Sequence, residues 1–128
     1  MRRTFLWSKI HRATVTETDV AYEGSLTLDP QLMEAARMLP YEKVDVYDVD
    51  NGERFSTYLI PGEAGSGVCC VNGAAARKTS PGHKLILAAY TELEPEEIAG
   101  HEPYVVLVSD ANRIRSQSRA ILAGTRVV

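Results

Sequence analysis

The chain has 128 residues, of which 45% are hydrophobic and 24% are charged, enough for one compact core and too few for two ordinary domains. Seventeen acidic against fourteen basic residues give a net charge of −3, which provides no general electrostatic attraction to nucleic acid or to an anionic membrane. The longest apolar run, Leu85–Tyr90, is too short to span a bilayer, and the N-terminal apolar run is too short for a signal peptide. We therefore expect one cytoplasmic globular domain.

Turn-forming residues divide the chain into short β-branched and aromatic runs that are typical of β-strands. In chain order, strands are predicted over 12–20, 43–49, 54–60, 67–71, 84–90 and 104–108. The Asn51-Gly52 pair, between the second and third of these strands, predicts a tight hairpin. Closely spaced strands in a small chain favour a β-barrel, because closure removes exposed sheet edges.

Two short helices are predicted. Asp29 suits an N-cap and Pro30 the first helical position, and apolar residues then recur with helical spacing as far as Leu39, where a proline follows and ends the helix. A second helix is predicted to begin near Pro95, because acidic residues suit a helix N-terminus. Periodicity fades toward the C-terminus, so that the tail from about residue 114 is predicted to be partly disordered.

The two cysteines, Cys69 and Cys70, are adjacent in a predicted strand, where successive side chains point to opposite faces. This geometry disfavours a disulfide between them. Three scattered histidines and the lack of a Cys-x-x-Cys pair do not match a zinc-binding pattern. Both cysteines are therefore interpreted as small hydrophobic residues of the core, and no metal site is predicted.

Some polar residues occupy positions that favour a ligand site, although each taken alone also fits a surface role. Alternation along residues 54–60 places Arg54 and Tyr58 on one face of the strand and Thr57 on the other. Lys9 and His11, two positions apart near the N-terminus, are likewise expected to share a face of a strand. Arg54 and Tyr58 are therefore expected to line one pocket.

Two glycine-containing pairs are also singled out. Gly24-Ser25 separates two runs that read as strands, without the Asn-Gly or Pro-Gly chemistry of a tight hairpin. Taken alone, this pair fits a structural turn. The small residues after Asn72-Gly73 would let a ligand approach backbone amides closely, although Asn-Gly is also an ordinary turn.

Taken together, these residues resemble the pyruvoyl-dependent aspartate 1-decarboxylases, which make β-alanine from L-aspartate for pantothenate synthesis. The similarity runs from Met1 to about Tyr90, with a weaker match beyond. The motifs that carry it are Lys9-Ile-His11-Arg, Tyr22-Glu-Gly24-Ser25, Asn51-Gly-Glu-Arg54-Phe-Ser-Thr57-Tyr58 and Val71-Asn72-Gly-Ala-Ala-Ala76. The resemblance implies a double-psi β-barrel and an enzyme that forms a cytoplasmic homotetramer, with active sites between subunits.

The resemblance also implies that the chain makes its own pyruvoyl cofactor. The Ser25 hydroxyl attacks the Gly24 carbonyl in an N→O acyl shift, and the resulting ester loses the Ser25 α-proton and the upstream carboxylate to leave dehydroalanine. Hydrolysis then releases ammonia and gives the pyruvoyl group. Residues 1–24 become a β chain, and residues 25–128 become an α chain headed by that group, within the single domain 1–128. A maturation factor is left open as a further partner.

For decarboxylation, the resemblance implies a Schiff base between the aspartate amine and the pyruvoyl group, which accepts the electrons left by carbon dioxide. Tyr58 is implied as the proton donor to the decarboxylated carbon. Thr57 is implied as a donor to the oxyanion of self-cleavage. The implied substrate-binding residues are Lys9, Arg54, Thr57, Asn72, Gly73, Ala74 and Ala75, with His11 and Tyr22 as supporting residues.

Two alternatives stay open at the level of the sequence. A pyruvoyl enzyme could act on another amino acid, although the two cations Lys9 and Arg54 suit a diacid. A small β-barrel binding module could instead keep Gly24-Ser25 as an uncleaved structural turn. The joint presence of Ser25, Lys9, Arg54 and Tyr58 favours the enzyme over the module.

Overall fold

The computed structural model describes residues 1–126 and is mainly β, which confirms the predicted fold class. Nine strands occur in this part of the chain: β1 Arg3–Thr14, β2 Glu17–Asp19, β3 Ser25–Leu28, β4 Lys43–Asp48, β5 Arg54–Pro61, β6 Cys69–Asn72, β7 Lys84–Leu93, β8 Tyr104–Val108 and β9 Ile114–Ser118. The helices of the same residues are α1 Pro30–Ala35, a 3₁₀ helix Gly73–Lys78 and α2 Pro95–Ile98. None of these helices is long and apolar enough to cross a membrane.

The strands form one mixed sheet in the order β2-β6-β3-β5-β4-β7-β1-β8-β9. β3 is parallel to β5 and antiparallel to β6, so that segments far apart in the chain meet at β3. β1 is antiparallel to β7 and parallel to β8. This arrangement is consistent with a small β-barrel, of which the double-psi topology is the form that the resemblance implies.

The first predicted strand is displaced from its expected position. The pattern over 12–20 predicts one strand, whereas β1 already begins at Arg3 and the chain breaks before the short β2. Arg12 has a left-handed φ of 67°, where the β1–β7 register shifts between His11 and Ala13. Such a bulge depends on the partner strand, so alternation within one segment does not reveal it.

The start of α1 is confirmed and its end is corrected. The Asp29 carboxylate caps the helix by accepting a hydrogen bond from the Gln31 amide at 2.9 Å. Arg37 then adopts a left-handed φ of 55°, which stops the helix before the predicted end. Leu39 is consequently 68% exposed, and Met38 is buried in its place.

The C-terminal segment also differs from the prediction. Partial disorder is predicted from about residue 114, but Ile114–Ser118 forms β9, which pairs antiparallel with β8. All five residues of β9 are exposed, so the hydrophobic alternation that marks a strand is missing from its sequence. Residues 127 and 128 of the predicted tail lie outside the described residues.

The core is built from aliphatic side chains on the inward face of the sheet. Burying one such side chain contributes about 1.5–3 kcal/mol relative to leaving it exposed. The largest fully buried side chains are Ile10, Leu26, Leu28, Leu32, Leu59, Leu85, Leu87, Val15, Val44, Val46, Val71 and Val106. Successive side chains on a strand point to opposite faces, so the residues next to these core residues on β3, β5 and β6 face outward.

Asp48 anchors the β4–β5 hairpin to the segment before β7. Its buried carboxylate accepts hydrogen bonds from Thr79 Oγ1 at 2.7 Å, from His83 Nδ1 at 2.8 Å and from the Asp50 and Asn51 amides. Burial by itself raises the pKa of Asp48, but these hydrogen bonds outweigh burial and lower the pKa below its ordinary value.

Asp48→Asn is expected to lower the free energy of unfolding at neutral pH by about 1–3 kcal/mol, because the amide cannot accept all the hydrogen bonds that the carboxylate accepts. Since the folded-state pKa is lowered, the Asp48 contribution is present above the unfolded pKa of about 3.9 and is lost as the pH falls through the folded value. Urea unfolding from about pH 5 to pH 2 should therefore show a steeper acid loss in the unmodified protein than in the variant.

Asp110→Asn is the matched control for this experiment. Asp110 is 98% exposed and pairs with Lys84 at 2.7 Å, so its replacement is expected to leave the unfolding curve nearly unchanged. Equal destabilisation by the two substitutions would contradict the anchoring role of Asp48.

Candidate active site

Ser25 is the first residue of β3 and is buried, whereas Gly24 immediately before it is exposed. Its neighbour Leu26 points into the core, so the Ser25 side chain points to the outward face of the sheet. Ser25 lies directly opposite Asn72 of β6. Asn72 Nδ2 donates to Ser25 Oγ at 3.0 Å and to Thr27 Oγ1 at 3.1 Å. The serine hydroxyl is therefore held next to an accessible peptide bond.

Gly73 packs against the loop that leads into Ser25. Its φ of +69° is a left-handed conformation that favours glycine. A Cβ added to Gly73 would lie 2.7 Å from Gly24 Cα and 2.8 Å from the Gly24 nitrogen, too close for non-bonded atoms. The close backbone approach predicted for a ligand at Asn72-Gly73 is thus made here by the chain itself.

Three further predicted site residues lie at the same end of the sheet. Tyr22 is exposed in the loop before Ser25, and its carbonyl oxygen would lie 3.3 Å from a Cβ added to Gly73. Ala74 and Ala75 follow Gly73 in the 3₁₀ helix, where Ala74 is exposed and Ala75 is half-buried. The loop, the 3₁₀ helix and the start of β3 therefore surround the Gly24–Ser25 bond.

β5 places Tyr58 beside Ser25. Leu26 pairs with Leu59 in the parallel β3–β5 ladder, and both lie in the core. The residues one position earlier, Ser25 and Tyr58, therefore lie on neighbouring strands, roughly 5 Å apart at the backbone, and share the outward face. Tyr58 is 39% exposed, so its phenol is accessible to a molecule that binds there.

The alternation predicted for β5 is confirmed. Arg54 and Tyr58 are exposed, whereas Phe55 packs against the core and Thr57 is half-buried on the same inward side. Thr57 thus faces away from the Ser25 hydroxyl, and its side chain makes no hydrogen bond within residues 1–126. Its implied part in self-cleavage stays a prediction.

Arg54 is stacked on an aromatic ring. Its guanidinium carbon lies 4.3 Å from the centre of the ring of Tyr47, the residue directly opposite it on β4. The Tyr47 hydroxyl is hydrogen-bonded to the Tyr90 hydroxyl at 2.9 Å, and this bond, with burial, raises the pKa of Tyr47 to about 12. No carboxylate of residues 1–126 forms an ion pair with Arg54. The guanidinium is therefore oriented by stacking and free to bind a carboxylate.

Lys9 and His11 share one face of β1, as predicted, and line a cavity of about 410 Å³. His11 Nδ1 is buried and has no hydrogen-bond partner among residues 1–126. Burial, with the nearby charges of Lys9 and Arg12, lowers the pKa of His11, so that its ring is neutral at neutral pH. The other walls of the cavity are Val105, Leu107, Ser116, Ser118, Ala120, Ile121, Leu122 and Thr125.

Direct pairings across the sheet connect His11 to Arg54. His11 lies opposite Ile86, Ile86 lies opposite Tyr47, and Tyr47 lies opposite Arg54. These four residues and Lys9, which lies beside His11, are here called the cation row, after its two cations Lys9 and Arg54. The two ends of the row are three strand spacings apart, about 14 Å along the sheet.

One chain does not bring the cation row to Ser25. Arg54 lies four residues before Tyr58, which is about 13 Å along β5. In the strand order, β7, β4 and β5 lie between the strand of Lys9 and β3. The predicted residues therefore form two groups: the cation row, and a cleavage group made of Gly24, Ser25, Tyr58, Asn72 and Gly73.

The sequence did not predict that Tyr47 and Tyr90 lie beside Arg54, or that Cys70 lies beside Asn72. Alternation along β4 could have found Tyr47, because the hairpin at Asn51-Gly52 places it opposite Arg54. The contacts of Tyr90 and Cys70 depend on strands that are distant in the chain, and no local pattern reveals them.

The fold and the two groups together indicate a small β-barrel enzyme that acts on a carboxylate-bearing substrate. Comparison with known proteins agrees with this class, because residues 1–115 match the family described as aspartate decarboxylase. The chain therefore belongs to the aspartate decarboxylase family.

Relatives in this family are similar over nearly their whole length. The aspartate 1-decarboxylase of Syntrophus aciditrophicus is 56% identical over 115 residues, which cover 90% of this chain and 99% of the relative. That of Syntrophobacter fumaroxidans is 56% identical over 117 residues, or 91% and 94% of the two chains. That of Clostridium acetobutylicum is 50% identical over 125 residues, 98% of each chain. The resemblance stated from the motifs, and the prediction of an enzyme, are confirmed.

Proposed function

We propose that the chain decarboxylates L-aspartate to β-alanine and carbon dioxide, using a pyruvoyl group that it makes by cleaving its own Gly24–Ser25 bond. The observation that carries this proposal is the buried Ser25 hydroxyl, held by Asn72 beside an exposed glycine peptide. The names of the relatives support L-aspartate as the substrate. The β-alanine would supply pantothenate and coenzyme A biosynthesis in the cytoplasm.

Self-cleavage needs only the chain's own groups and water. Ser25 Oγ attacks the Gly24 carbonyl carbon, and the C–N bond between the two residues breaks as the ester forms. Removal of the Ser25 α-proton then breaks the Cβ–Oγ bond, so that residues 1–24 leave with a C-terminal carboxylate. Addition of water to the remaining dehydroalanine, with loss of ammonia, leaves a pyruvoyl group at the head of residues 25–128.

The surroundings of Ser25 fit a pyruvoyl group at this position. In a pyruvoyl group Cβ is a methyl carbon and the ketone oxygen stands on Cα in place of the Ser25 nitrogen. Asn72 Nδ2, which now donates to Ser25 Oγ, would be freed to donate to an oxygen of the new group or of the substrate, and the glycine at position 73 leaves the backbone room that a Cβ would fill. When formed, the group supplies an electron sink for the electrons left on the substrate carbon as carbon dioxide departs. Tyr58 lies beside it on the same face and donates the proton that this carbon then takes up.

We further propose that the active site is completed by a second subunit of a homotetramer. Within one chain, Arg54 lies about 13 Å along β5 from Tyr58, the neighbour of Ser25, and Lys9 lies on β1, which among the described strands pairs with β7 and β8 and not with β3. A neighbouring subunit that lays its cation row over the cleavage group would supply both cations, one to each carboxylate or both to one. Leu39 and Tyr41, which are 68% and 76% exposed, provide apolar surface for such a contact.

The direct test of the activity is to incubate the purified protein with L-aspartate and to quantify β-alanine and carbon dioxide. L-Glutamate in a parallel reaction tests the alternative of another amino acid substrate. β-Alanine formation would support the proposal. Faster decarboxylation of L-glutamate would show that L-aspartate is not the preferred substrate. No reaction with either amino acid would favour the binding module.

Arg54→Lys is expected to raise the KM for L-aspartate by roughly tenfold and to change kcat less. Lysine keeps the charge but loses both the fork that matches a carboxylate and the planar group that stacks on Tyr47. Arg2→Lys is the matched control, because within residues 1–126 Arg2 forms only surface ion pairs, with Glu92 and Glu94. Steady-state assays of fully cleaved protein give both constants, and an unchanged KM in Arg54→Lys would contradict the substrate-binding role.

A further inference from the structure

The hydrogen bonds around Ser25 extend one residue further, to a thiol. Cys70 Sγ lies 3.1 Å from Asn72 Oδ1, and Asn72 Nδ2 in turn donates to Ser25 Oγ and Thr27 Oγ1. Thr27 lies opposite Cys70 and Ser25 lies opposite Asn72 in the β3–β6 ladder, so the four side chains share one face. A continuous chain of hydrogen bonds therefore runs from the Cys70 thiol through the Asn72 amide to Ser25, whose hydroxyl is proposed to attack the Gly24 carbonyl.

The amide of Asn72 has two chemically different ends, and its hydroxyl partners do not distinguish between them. The hydroxyls of Ser25 and Thr27 can each donate or accept, so either end of the amide could face them. The thiol of Cys70 is the partner on the other side. A thiol is a weak donor and a weak acceptor, and here it donates to the amide oxygen at 3.1 Å, which leaves Nδ2 directed at the serine. Burial, followed by two nearby carboxylates, raises the pKa of the Cys70 thiol, so that it keeps its proton and remains a donor.

Cys69 offers a contrast within the same strand. Its side chain is 0% exposed and packs in the hydrophobic core on the opposite face, and it makes no side-chain hydrogen bond within residues 1–126. The interpretation of the cysteines as core hydrophobic residues therefore describes Cys69, whereas Cys70 also has a polar partner. Substitutions at Cys69 and at Cys70 can therefore separate the effect of losing buried volume from the effect of losing a hydrogen-bond donor.

We propose that Cys70 is a positioning residue for self-cleavage, whose thiol sets the orientation of the Asn72 amide and through it holds the Ser25 hydroxyl. This inference rests on the proposed cleavage of the Gly24–Ser25 bond. Cys70 forms and breaks no covalent bond in that reaction, and it acts only through Asn72.

The experiment follows cleavage in freshly synthesised protein, made in a short pulse of cell-free synthesis and sampled by intact mass under denaturing conditions. Cys70→Ala is expected to slow cleavage by roughly 2- to 10-fold, the range expected for losing one neutral hydrogen bond. Cys70→Ser retains a donor and is expected to cleave at least as fast as the unmodified protein. Cys69→Ala removes a buried thiol on the core face and is expected to leave the cleavage rate unchanged.

Cys70→Val also removes the thiol donor but leaves no cavity in place of the side chain. A folding defect caused by the cavity in Cys70→Ala would therefore not be mistaken for the loss of the donor. Unchanged cleavage in Cys70→Val, equal slowing in Cys69→Ala, or slow cleavage in Cys70→Ser would each overturn the positioning role. If the unmodified protein does not cleave at all, the proposed function is overturned together with this inference. If it cleaves and Cys70→Val cleaves equally fast, only this inference is overturned.

Discussion

Ser25→Ala is expected to give a folded chain that is never cleaved and forms no β-alanine. A methyl group cannot attack the Gly24 carbonyl, so neither the ester nor the pyruvoyl group can arise. The fold is expected to survive, because Asn72 Nδ2 keeps its second acceptor, Thr27 Oγ1, at 3.1 Å. The cost in stability is about that of one neutral hydrogen bond, 0.5–1.5 kcal/mol. Intact mass and a β-alanine assay on the same sample measure both effects.

Ser66→Ala is the control for this substitution. Ser66 lies in an exposed loop and donates to the Glu63 carbonyl, so its loss is expected to leave both cleavage and activity intact. Cleavage of Ser25→Ala at the Gly24 peptide would instead show that a contaminating protease cuts the chain.

Tyr58→Phe is expected to cleave normally and to lose roughly 10²- to 10⁴-fold in kcat, the usual worth of general acid catalysis. The phenol is proposed to protonate the decarboxylated carbon and takes no part in the acyl shift. Its hydroxyl makes no hydrogen bond within residues 1–126, so its removal leaves no partner unsatisfied there. The activity is measured only on protein whose mass shows complete cleavage, since an uncleaved enzyme would mimic a catalytic defect.

Tyr104→Phe removes a phenol hydroxyl from β8, where the ring packs against Trp7 and Arg119, and is expected to retain the activity of the unmodified protein. Near-normal kcat in fully cleaved Tyr58→Phe would transfer the proton-donor role to another group. Loss of activity in both variants would show that the assay reports a general effect of replacing tyrosine.

The features of the site that could be predicted from the sequence are those with local causes. The Asn51-Gly52 pair predicts the β4–β5 hairpin, although residues 49–52 form a loop longer than a two-residue turn. Alternation along β5 determines that Arg54 and Tyr58 share the outward face while Thr57 lies on the inward face. The capped start of α1 follows in the same way from residues that are neighbours in the chain.

The remaining features depend on contacts between distant segments. Ser25 and Asn72 are 47 residues apart in the chain and meet only because β3 lies between β5 and β6. The same long-range pairing brings the Cys70 thiol to the Asn72 amide and places Tyr58 beside Ser25. The motifs identified the family, but these contacts required the fold.

The measurement that tests the central claim most directly is the intact mass of the purified, unmodified protein under denaturing conditions, with β-alanine formation assayed on the same sample. The proposal predicts two fragments: residues 1–24, and a larger fragment of 128 − 24 = 104 residues that begins with a pyruvoyl group in place of Ser25. A single full-length mass after prolonged incubation, together with normal decarboxylation of L-aspartate, would contradict it.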